Sequence, residues 1–261
     1  MNLINSELQT VKKLILENLD DPISDKSLYN FISSGSKYIR STIAILYLKS
    51  QNINLSNDIY NILAAGEIIH NASLLHDDVI DNAKERRGTT TISNKFSDKI
   101  SILAGDYLLS LAIEILLRLN NSEILNIFKD CTKFMSKAEI EQYFLRGTIP
   151  TAEKYLEICQ NKTAKLFSAI LESSAILTGI SKQKAYEFGN IYGICFQIKN
   201  DLEDFSAQND KQNKIYTAKD IFGIEKTKSL LDNYKKDLLI LISEIPHNEY
   251  KKSLEDIINS L

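Results

Sequence analysis

The sequence has few of the residues that build turn-rich folds. Its 261 residues include only 9 glycines and 3 prolines. A chain so poor in turn residues, and rich in Leu, Ile, Lys, Glu and Ala, favours long helices over a β architecture. The hydrophobic share of 44% and the charged share of 25% are ordinary for a globular protein that buries a large core. We predict an all-α protein with a single domain over residues 1–261.

Cysteine is also scarce. Cys131, Cys159 and Cys195 are odd in number, widely spaced and set among apolar residues. This spacing argues against a disulfide framework or a zinc site. We expect three reduced thiols in the core.

Strong net charge and long apolar runs are missing as well. The formal net charge of -3 gives no global attraction to nucleic acid or to an anionic membrane, so recognition of phosphate has to be local. We find no apolar run of about 18 residues and no signal-peptide core near the start. We therefore expect a cytoplasmic protein without a transmembrane segment and without a nucleic-acid partner.

Helical periodicity recurs along the chain. Turn residues and candidate caps bound each periodic stretch, and Thr151 is a good N-cap. Residues 206–219 are polar and predict a loop, and two amphipathic helices follow it. The helices predicted before that loop span residues 5–19, a stretch after 40, 58–81, 98–119, 122–146, 151–179 and 181–205.

Acidic residues cluster near the ends of two of these helices. The stretch LLHDDVIDNAKERRG, residues 74–88, places Asp77 and Asp81 one turn apart on the same helix face. Two such carboxylates repel each other, and the negative end of the helix dipole adds to the repulsion. A second helix ends with Asp201 and Asp204. Both helix ends are expected to require cations.

Magnesium is the cation that such a cluster favours. It prefers hard carboxylate oxygens and binds through one or two of them together with substrate phosphates. Basic residues near the first cluster are typical of a site for two phosphorylated substrates; they are Lys37, Arg40, His70, Arg86 and Arg87. The alternative is a solvated acidic helix face, which is the common fate of an isolated acidic run.

Five segments resemble motifs of one enzyme family, the trans-isoprenyl diphosphate synthases. GSKYIRS (35–41) resembles their GGKRIRP loop, and LLHDDVIDNAKERRG is similar to their first aspartate-rich motif. AGDYLLSLA (104–112) and YLEICQNKTAKLF (155–167) resemble their GDxLL and KTA segments, and FQIKNDLEDF (196–205) resembles FQxxDDxxD. The motifs occur in the family's order. The resemblance implies an isoprenoid synthase-type helical barrel or bundle around a deep central cavity, usually paired as a homodimer.

The resemblance also implies a role for each matching residue. Lys37, Arg40, His70 and Arg87 would hold the diphosphate of isopentenyl diphosphate. Arg86, Lys162 and Lys214 would bind the allylic diphosphate. Up to three magnesium ions would be held by Asp77, Asp81, Asn200, Asp201 and Asp204. The residues nearest the developing cation would be Lys162, Thr163 and Gln197.

The implied reaction is head-to-tail chain extension of an allylic diphosphate, farnesyl or geranyl, by isopentenyl diphosphate. Ala72 and Ser73 lie about one turn before Asp77, where the growing prenyl tail would descend. Both are small, whereas family members that stop at fifteen carbons commonly carry aromatic residues there. We therefore expect an all-trans product of about thirty to forty carbons, used for quinone side chains, that can partition to a membrane.

Several positions depart from the family pattern. Ser36, Tyr38 and Ser41 replace the usual Gly, Arg and Pro, so we expect weakened binding of isopentenyl diphosphate. Asn200 replaces the first aspartate of the second motif and offers only a neutral oxygen. The loop after Asp204 is short, which leaves the choice between Lys211 and Lys214 open.

Two rival functions remain. A noncatalytic partner subunit of a two-component prenyl synthase would keep the fold, although such subunits usually lose the first aspartate motif. A class I terpene cyclase is echoed by NDLEDFSAQ, which misses the cyclase motif at Asp204 and Gln208. A cyclase would have no use for a second diphosphate site at Lys37, Arg40 and His70.

Overall fold

The structure is a computed structural model that describes residues 2–20, 22–23, 26–33, 37–86, 88–203 and 211–261. Within these residues it is almost entirely helical, which confirms the all-α prediction. The chain forms two compact units, Met1–Ile45 with Leu55–Leu125 and Leu46–Asn54 with Asn126–Leu261. The single domain over residues 1–261 stays a prediction.

The helices follow one another with short connections. A 3-10 turn, Asn2–Ile4, precedes the first α-helix. The α-helices are α1 (Asn5–Asn18), α2 (Ser27–Ser33), α3 (Ile39–Ser50), α4 (Asn57–Ile80), α5 (Ile92–Lys95), α6 (Asp98–Leu117), α7 (Ser122–Phe144), α8 (Ala152–Cys159), α9 (Lys165–Thr178), α10 (Lys182–Leu202), α11 (Ala218–Phe222), α12 (Ile224–Leu241) and α13 (Glu249–Asn259). A π-helical turn, Gln160–Ala164, joins α8 to α9.

The first unit is built around α4, which is buried along most of its length. The Ser56 side chain caps its start by accepting from the Ile59 N–H, and at its end the Asp81 N–H donates to the Asp77 carbonyl at 2.8 Å. Helix α6 packs closely against α4, and the Ser101 hydroxyl donates to the Leu75 carbonyl at 2.8 Å. This packing fixes the end of α4, where the first aspartate-rich motif lies.

The second unit is built around α10, which packs against α9 and the π-helical turn. Two glycines one turn apart allow the close approach. A Cβ on Gly189 would lie 2.7 Å from the Ser168 Cα, and one on Gly193 would lie 2.3 Å from the Ala164 Cα. Because both obstacles are backbone atoms, only glycine fits at these two positions of α10.

Several local features differ from the prediction. Two short helices, α2 and α5, lie in stretches for which we predicted no helix. The helix predicted over residues 151–179 is interrupted by the π-helical turn. The sequence does not reveal this turn, because one wider turn leaves the apolar pattern of the flanking helices almost unchanged. Strands β1 (Glu85–Arg86) and β2 (Thr89–Thr90) form a two-stranded antiparallel ladder in the stretch after α4. Strands of two residues are too short to produce a periodic pattern.

Helix α6 is the single helix in the described ranges that is long and apolar enough to cross a membrane by length and composition. We did not anticipate this from the sequence. One such helix is weak evidence for a membrane span, because a core helix of a globular protein can meet the same criterion. The cysteines are buried reduced thiols, as predicted, and burial raises the pKa of Cys195 to about 12.

Candidate functional site

The three aspartates of the first acidic motif differ in their surroundings. The Asp78 side chain is fully buried, and its Oδ1 accepts from the Arg86 Nε at 2.6 Å. Asp77 and Asp81 are only half-buried, in the last turn of α4 and at its C-cap. The Arg86 guanidinium is thus bound to the middle aspartate, and Asp77 and Asp81 are the two aspartates of this motif with solvent-exposed surface.

Arg86 reaches Asp78 because the chain turns back after α4. The Thr91 hydroxyl donates to the Ala83 carbonyl at 2.7 Å, and β1 pairs with β2 between these two residues. Through Nε, Arg86 uses one of the five donors of its guanidinium group. Its predicted role toward the allylic diphosphate is therefore combined with a structural one. Arg87 lies outside the described residues.

The donor set of the first motif fits magnesium. Among the described residues, no group of three His, Cys, Asp or Glu side chains converges as a preformed metal cage. Magnesium does not need one, since it keeps several waters and commonly takes one or two carboxylates together with substrate phosphates. Asp77 and Asp81, a helical turn apart and accessible, supply such a pair. A cation would also relieve their repulsion at the negative end of α4.

Three of the four residues predicted to bind isopentenyl diphosphate lie on two segments that the structure brings into contact. Lys37 is exposed just before α3, Arg40 is half-buried in the first turn of α3, and His70 is half-buried on α4. Ser41 bonds to Glu67, which lies on α4 one turn before His70. The start of α3 is therefore held beside the stretch of α4 that carries His70.

In the second unit, the residues predicted to lie near the developing cation form a hydrogen-bonded chain. The Thr163 hydroxyl donates to the Gln197 Oε1 at 2.9 Å, and the Gln197 Nε2 donates to the Asp201 Oδ1 at 2.8 Å. An ionised carboxylate only accepts hydrogen bonds, so Asp201 fixes which end of the Gln197 amide points toward it. The amide oxygen is thereby directed to Thr163.

The magnesium role predicted for Asp201 stays a prediction, and its surroundings give the side chain other partners. Asp201 is only 5% exposed, and its Oδ2 accepts from the Tyr155 hydroxyl at 2.7 Å and from the Ala218 N–H at 2.8 Å. With the bond from Gln197, both carboxylate oxygens are already engaged. Burial raises the pKa of Asp201, and its three hydrogen-bond donors act against that shift. These bonds fix the orientation of the Tyr155 hydroxyl and the Gln197 amide.

The other two members of the second acidic motif contribute less to a metal site in the described structure. Asn200 is half-buried in the last turn of α10 and offers a neutral amide oxygen. Asp204 lies outside the described residues. The stronger support for magnesium therefore comes from Asp77 and Asp81.

Lys162 lies on the π-helical turn next to Thr163, and α7 supplies its partners. Its ammonium group forms an ion pair with Glu139 and donates to the Gln142 Oε1 at 2.7 Å. A diphosphate bound to Lys162 has to share the ammonium group with Glu139. We did not identify Glu139 and Gln142 from the sequence, although their spacing of three residues on one helix face is the signal that groups them.

Lys211 and Lys214 are both exposed. Lys214 has a positive φ of 54°, and its carbonyl accepts from the Gly147 N–H at 2.9 Å. This bond ties the backbone of Lys214 to the turn that follows α7. The Lys214 N–H donates in turn to the Lys211 carbonyl at 3.3 Å, so these backbone bonds do not decide between the two lysines.

The two small residues before Asp77 are not equivalent. Ala72 has no exposed surface, whereas Ser73 is half-buried and donates its hydroxyl to the His70 carbonyl at 2.8 Å. A fully covered side chain does not border open space. Ser73, which lies one turn before Asp77 on the same helix face, is therefore the better candidate for a residue that meets a prenyl tail.

Solved structures with the same fold come from isoprenoid enzymes. The heptaprenyl diphosphate synthase of Staphylococcus aureus matches with a TM-score of 0.91 and 24% identity, covering 98% of this chain and 97% of that one. A polyprenyl synthase of Caulobacter crescentus, solved with calcium and isoprenyl diphosphate, matches with a TM-score of 0.87 and 21% identity, covering 99% and 94%. These likenesses confirm the predicted isoprenoid synthase-type fold.

The family follows from the sequence comparison. The family model described as polyprenyl synthetase matches residues 21–252. The octaprenyl diphosphate synthase of Haemophilus influenzae is 33% identical over 218 residues, covering 81% of this chain and 66% of that protein. The chain thus spans just under two thirds of that relative's length. It belongs to the polyprenyl synthetase family, as its motifs predicted.

Proposed function

We propose that this chain is a trans-polyprenyl diphosphate synthase. In the proposed reaction, the C1–O bond of an allylic diphosphate breaks and diphosphate leaves. The double bond of isopentenyl diphosphate then forms the new carbon–carbon bond, and loss of a proton restores an alkene. The products are a longer allylic diphosphate, inorganic diphosphate and a proton. Farnesyl or geranyl diphosphate is the proposed primer, and the released diphosphate is the proposed proton acceptor.

The observation that carries this proposal is the difference in burial among the three aspartates of the first acidic motif. Arg86 engages the buried Asp78, while Asp77 and Asp81 remain accessible one turn apart. A solvated acidic face gives no reason for the middle carboxylate to be fully buried against an arginine. The family membership and the octaprenyl diphosphate synthase relative support the same proposal.

We propose that Asp77 and Asp81 hold magnesium. The bound ion would supply Lewis-acid stabilisation of the negative charge that develops on the leaving diphosphate. The solved relative with calcium and isoprenyl diphosphate is consistent with a divalent cation in this role. Up to three ions are proposed, with Asn200, Asp201 and Asp204 as further ligands.

The basic side chains would bind the two diphosphates. Lys37, Arg40, His70 and Arg87 are proposed for isopentenyl diphosphate, and Arg86, Lys162 and Lys214 for the allylic diphosphate. Charge-assisted hydrogen bonds from such groups are among the strongest that a protein makes to phosphate oxygens. Donors held in position before the reaction also lower the cost of charge development.

Thr163 and Gln197 would stabilise the allylic cation. The Gln197 amide oxygen accepts from the Thr163 hydroxyl, and lone pairs on both oxygens suit a neighbouring positive charge. Asp201 keeps the amide in this orientation through its bond to Nε2. These residues would therefore act by orientation, without forming a covalent bond to substrate.

The proposed product has about thirty to forty carbons, because small residues precede Asp77 on the face where the tail would extend. Ser73 carries this part of the proposal, since Ala72 is fully covered. The relative named octaprenyl diphosphate synthase agrees with a product in this range. Such a product would serve as a quinone side-chain precursor and partition to membranes.

We also propose a cytoplasmic homodimer. One face of α6 exposes four large aliphatic side chains, Ile102, Leu103, Ile113 and Leu117. A second copy of the same helix would remove this apolar surface from water, which favours association. If the partner is instead a different chain, this protein is the noncatalytic subunit of a two-component synthase, which is the rival function.

The test is to incubate the purified chain alone with magnesium, farnesyl diphosphate and labelled isopentenyl diphosphate. We expect label in an organic-extractable product. An Asp81→Ala variant should lose about 10²- to 10³-fold of the rate, the usual cost of removing one stabiliser of developing charge. Absence of incorporation by the chain alone, with recovery on adding a partner synthase subunit, would contradict the proposal and favour the noncatalytic subunit.

A further inference from the structure

A buried carboxylate holds the first turn of α3. Ser41 is fully buried, and both its backbone N–H, at 3.0 Å, and its hydroxyl, at 2.8 Å, donate to the Glu67 Oε1. Glu67 is itself only 1% exposed and is the one charged residue in the apolar stretch Leu63–Ile69. An isolated acid in such a stretch has to find donors, because burying an unpaired carboxylate is costly.

This contact lies in the first turn of α3, where backbone N–H groups need an acceptor. The first N–H groups of a helix have no acceptor within the helix, and a negative group near them is favourable. Tyr38 precedes the helix with a positive φ of 46°, which is uncommon for a bulky residue and persists only when the surroundings hold it. Its carbonyl accepts the Thr42 N–H at 2.8 Å, so the strained residue begins the helix.

We infer that Glu67, acting through Ser41, is a positioning residue for Lys37 and Arg40, and so sets the affinity for isopentenyl diphosphate. Lys37 and Arg40 flank Tyr38, so the bond that holds the turn also holds their backbone. Glu67 lies three residues before His70 on α4, which ties these cations to the helix whose last turn carries Asp77. The inference rests on the proposed function, in which these side chains bind that diphosphate.

The effect expected of Ser41 on binding is thereby reversed. We expected serine in place of the family's proline to weaken binding of isopentenyl diphosphate. Proline has no N–H, whereas Ser41 gives the Glu67 carboxylate two donors. In this chain, serine is therefore part of the mechanism that orders the turn.

The test measures binding of isopentenyl diphosphate by calorimetry, with magnesium and without an allylic substrate, so that no turnover occurs. Ser41→Ala removes the hydroxyl bond to a charged acceptor, and we expect the Kd to rise about 10-fold. Ser41→Pro removes both donors and should raise it further. The matched control is Ser50→Ala, which removes an equally buried hydroxyl from the same helix, where it bonds to the Tyr47 carbonyl at 2.7 Å.

A merely structural role predicts that Ser41→Ala and Ser50→Ala lower the Tm alike and leave the Kd unchanged. Equal Kd values for these two variants would therefore overturn the inference. Lys37→Ala separates this result from a failure of the proposed function. If Lys37→Ala weakens binding and Ser41→Ala does not, the inference alone is wrong. If Lys37→Ala and Arg40→Ala both leave the Kd unchanged, the proposed binding role is wrong, and the inference is overturned with it.

Discussion

Asp78 and Arg86 form an ion pair, with 2.6 Å between Oδ1 and Nε, in which the carboxylate is fully buried. The pair links the last turn of α4 to β1, across the turn that follows the first acidic motif. Three aspartates that are close together in sequence therefore have two different functions. Asp78 stabilises the fold, and Asp77 and Asp81 are proposed to hold magnesium.

The first prediction separates these functions by stability. Asp78→Asn weakens a charge-assisted bond to a buried acceptor and should lower the free energy of unfolding by about 1–3 kcal/mol. Asp81→Asn removes a negative charge from the negative end of α4 and should leave stability unchanged or slightly higher. Urea denaturation of the two variants measures the difference. Equal destabilisation by both substitutions would contradict the assignment.

The second prediction concerns the close contact at Gly193. Gly193→Ala places a Cβ against the backbone of Ala164 and should cost about 1–3 kcal/mol of stability. Gly193 lies one turn before Gln197, so the shift should also disturb the Thr163–Gln197 bond and lower kcat about 10- to 100-fold. Gly189→Ala is the matched control, because it meets the Ser168 backbone one turn further from Gln197. A similar loss of kcat in both variants would speak against a local effect on Gln197.

The third prediction concerns the pH dependence of stability at Asp201. Burial raises the pKa of this carboxyl in the folded state, so the folded protein holds the proton to a higher pH than the unfolded chain. Stability contributed by the protonated form is present below the unfolded pKa, about 3.9, and declines as pH rises through the folded pKa. Asp201→Asn removes this titration. Its unfolding free energy relative to wild type should rise with pH above about 4 and then level off, whereas parallel curves would refute the prediction.

The fourth prediction concerns product length. Ser73→Phe fills the face one turn before Asp77 and should shift the products to shorter chains. Ala72→Phe forces a large ring into a fully covered position and should mainly destabilise the protein, by about 1–3 kcal/mol. Chromatography of dephosphorylated products and thermal unfolding distinguish the two results. An unchanged product distribution for Ser73→Phe would exclude Ser73 as a determinant of length.

The parts of the fold and site that depend on local geometry were predictable from the sequence. Asp77 and Asp81 lie on one helix face because any residues four apart do so. The helices around them follow from apolar periodicity, and Thr151 caps α8 as expected, accepting from the Lys154 N–H at 3.2 Å. The order of the motifs was sufficient to predict the family.

The contacts between distant residues were not predictable in the same way. Ser41 and Glu67 are 26 residues apart, and Tyr155 and Asp201 are 46 apart, so no periodic pattern relates them. A carboxylate in an aspartate-rich motif looks like a metal ligand until its hydrogen-bond donors are known. For Asp201 those donors come from α8, α10 and the start of α11, which no motif indicated.

The most direct test of the proposed activity is the size of the product that the chain makes by itself. Purified wild-type protein and Asp81→Ala are supplied with magnesium, farnesyl diphosphate and excess isopentenyl diphosphate, and the extracted polyprenyl chains are measured by mass spectrometry. We expect chains of about thirty to forty carbons from the wild type and almost none from the variant. Equal amounts of product from both proteins, or no elongated product from the wild type, would contradict the account.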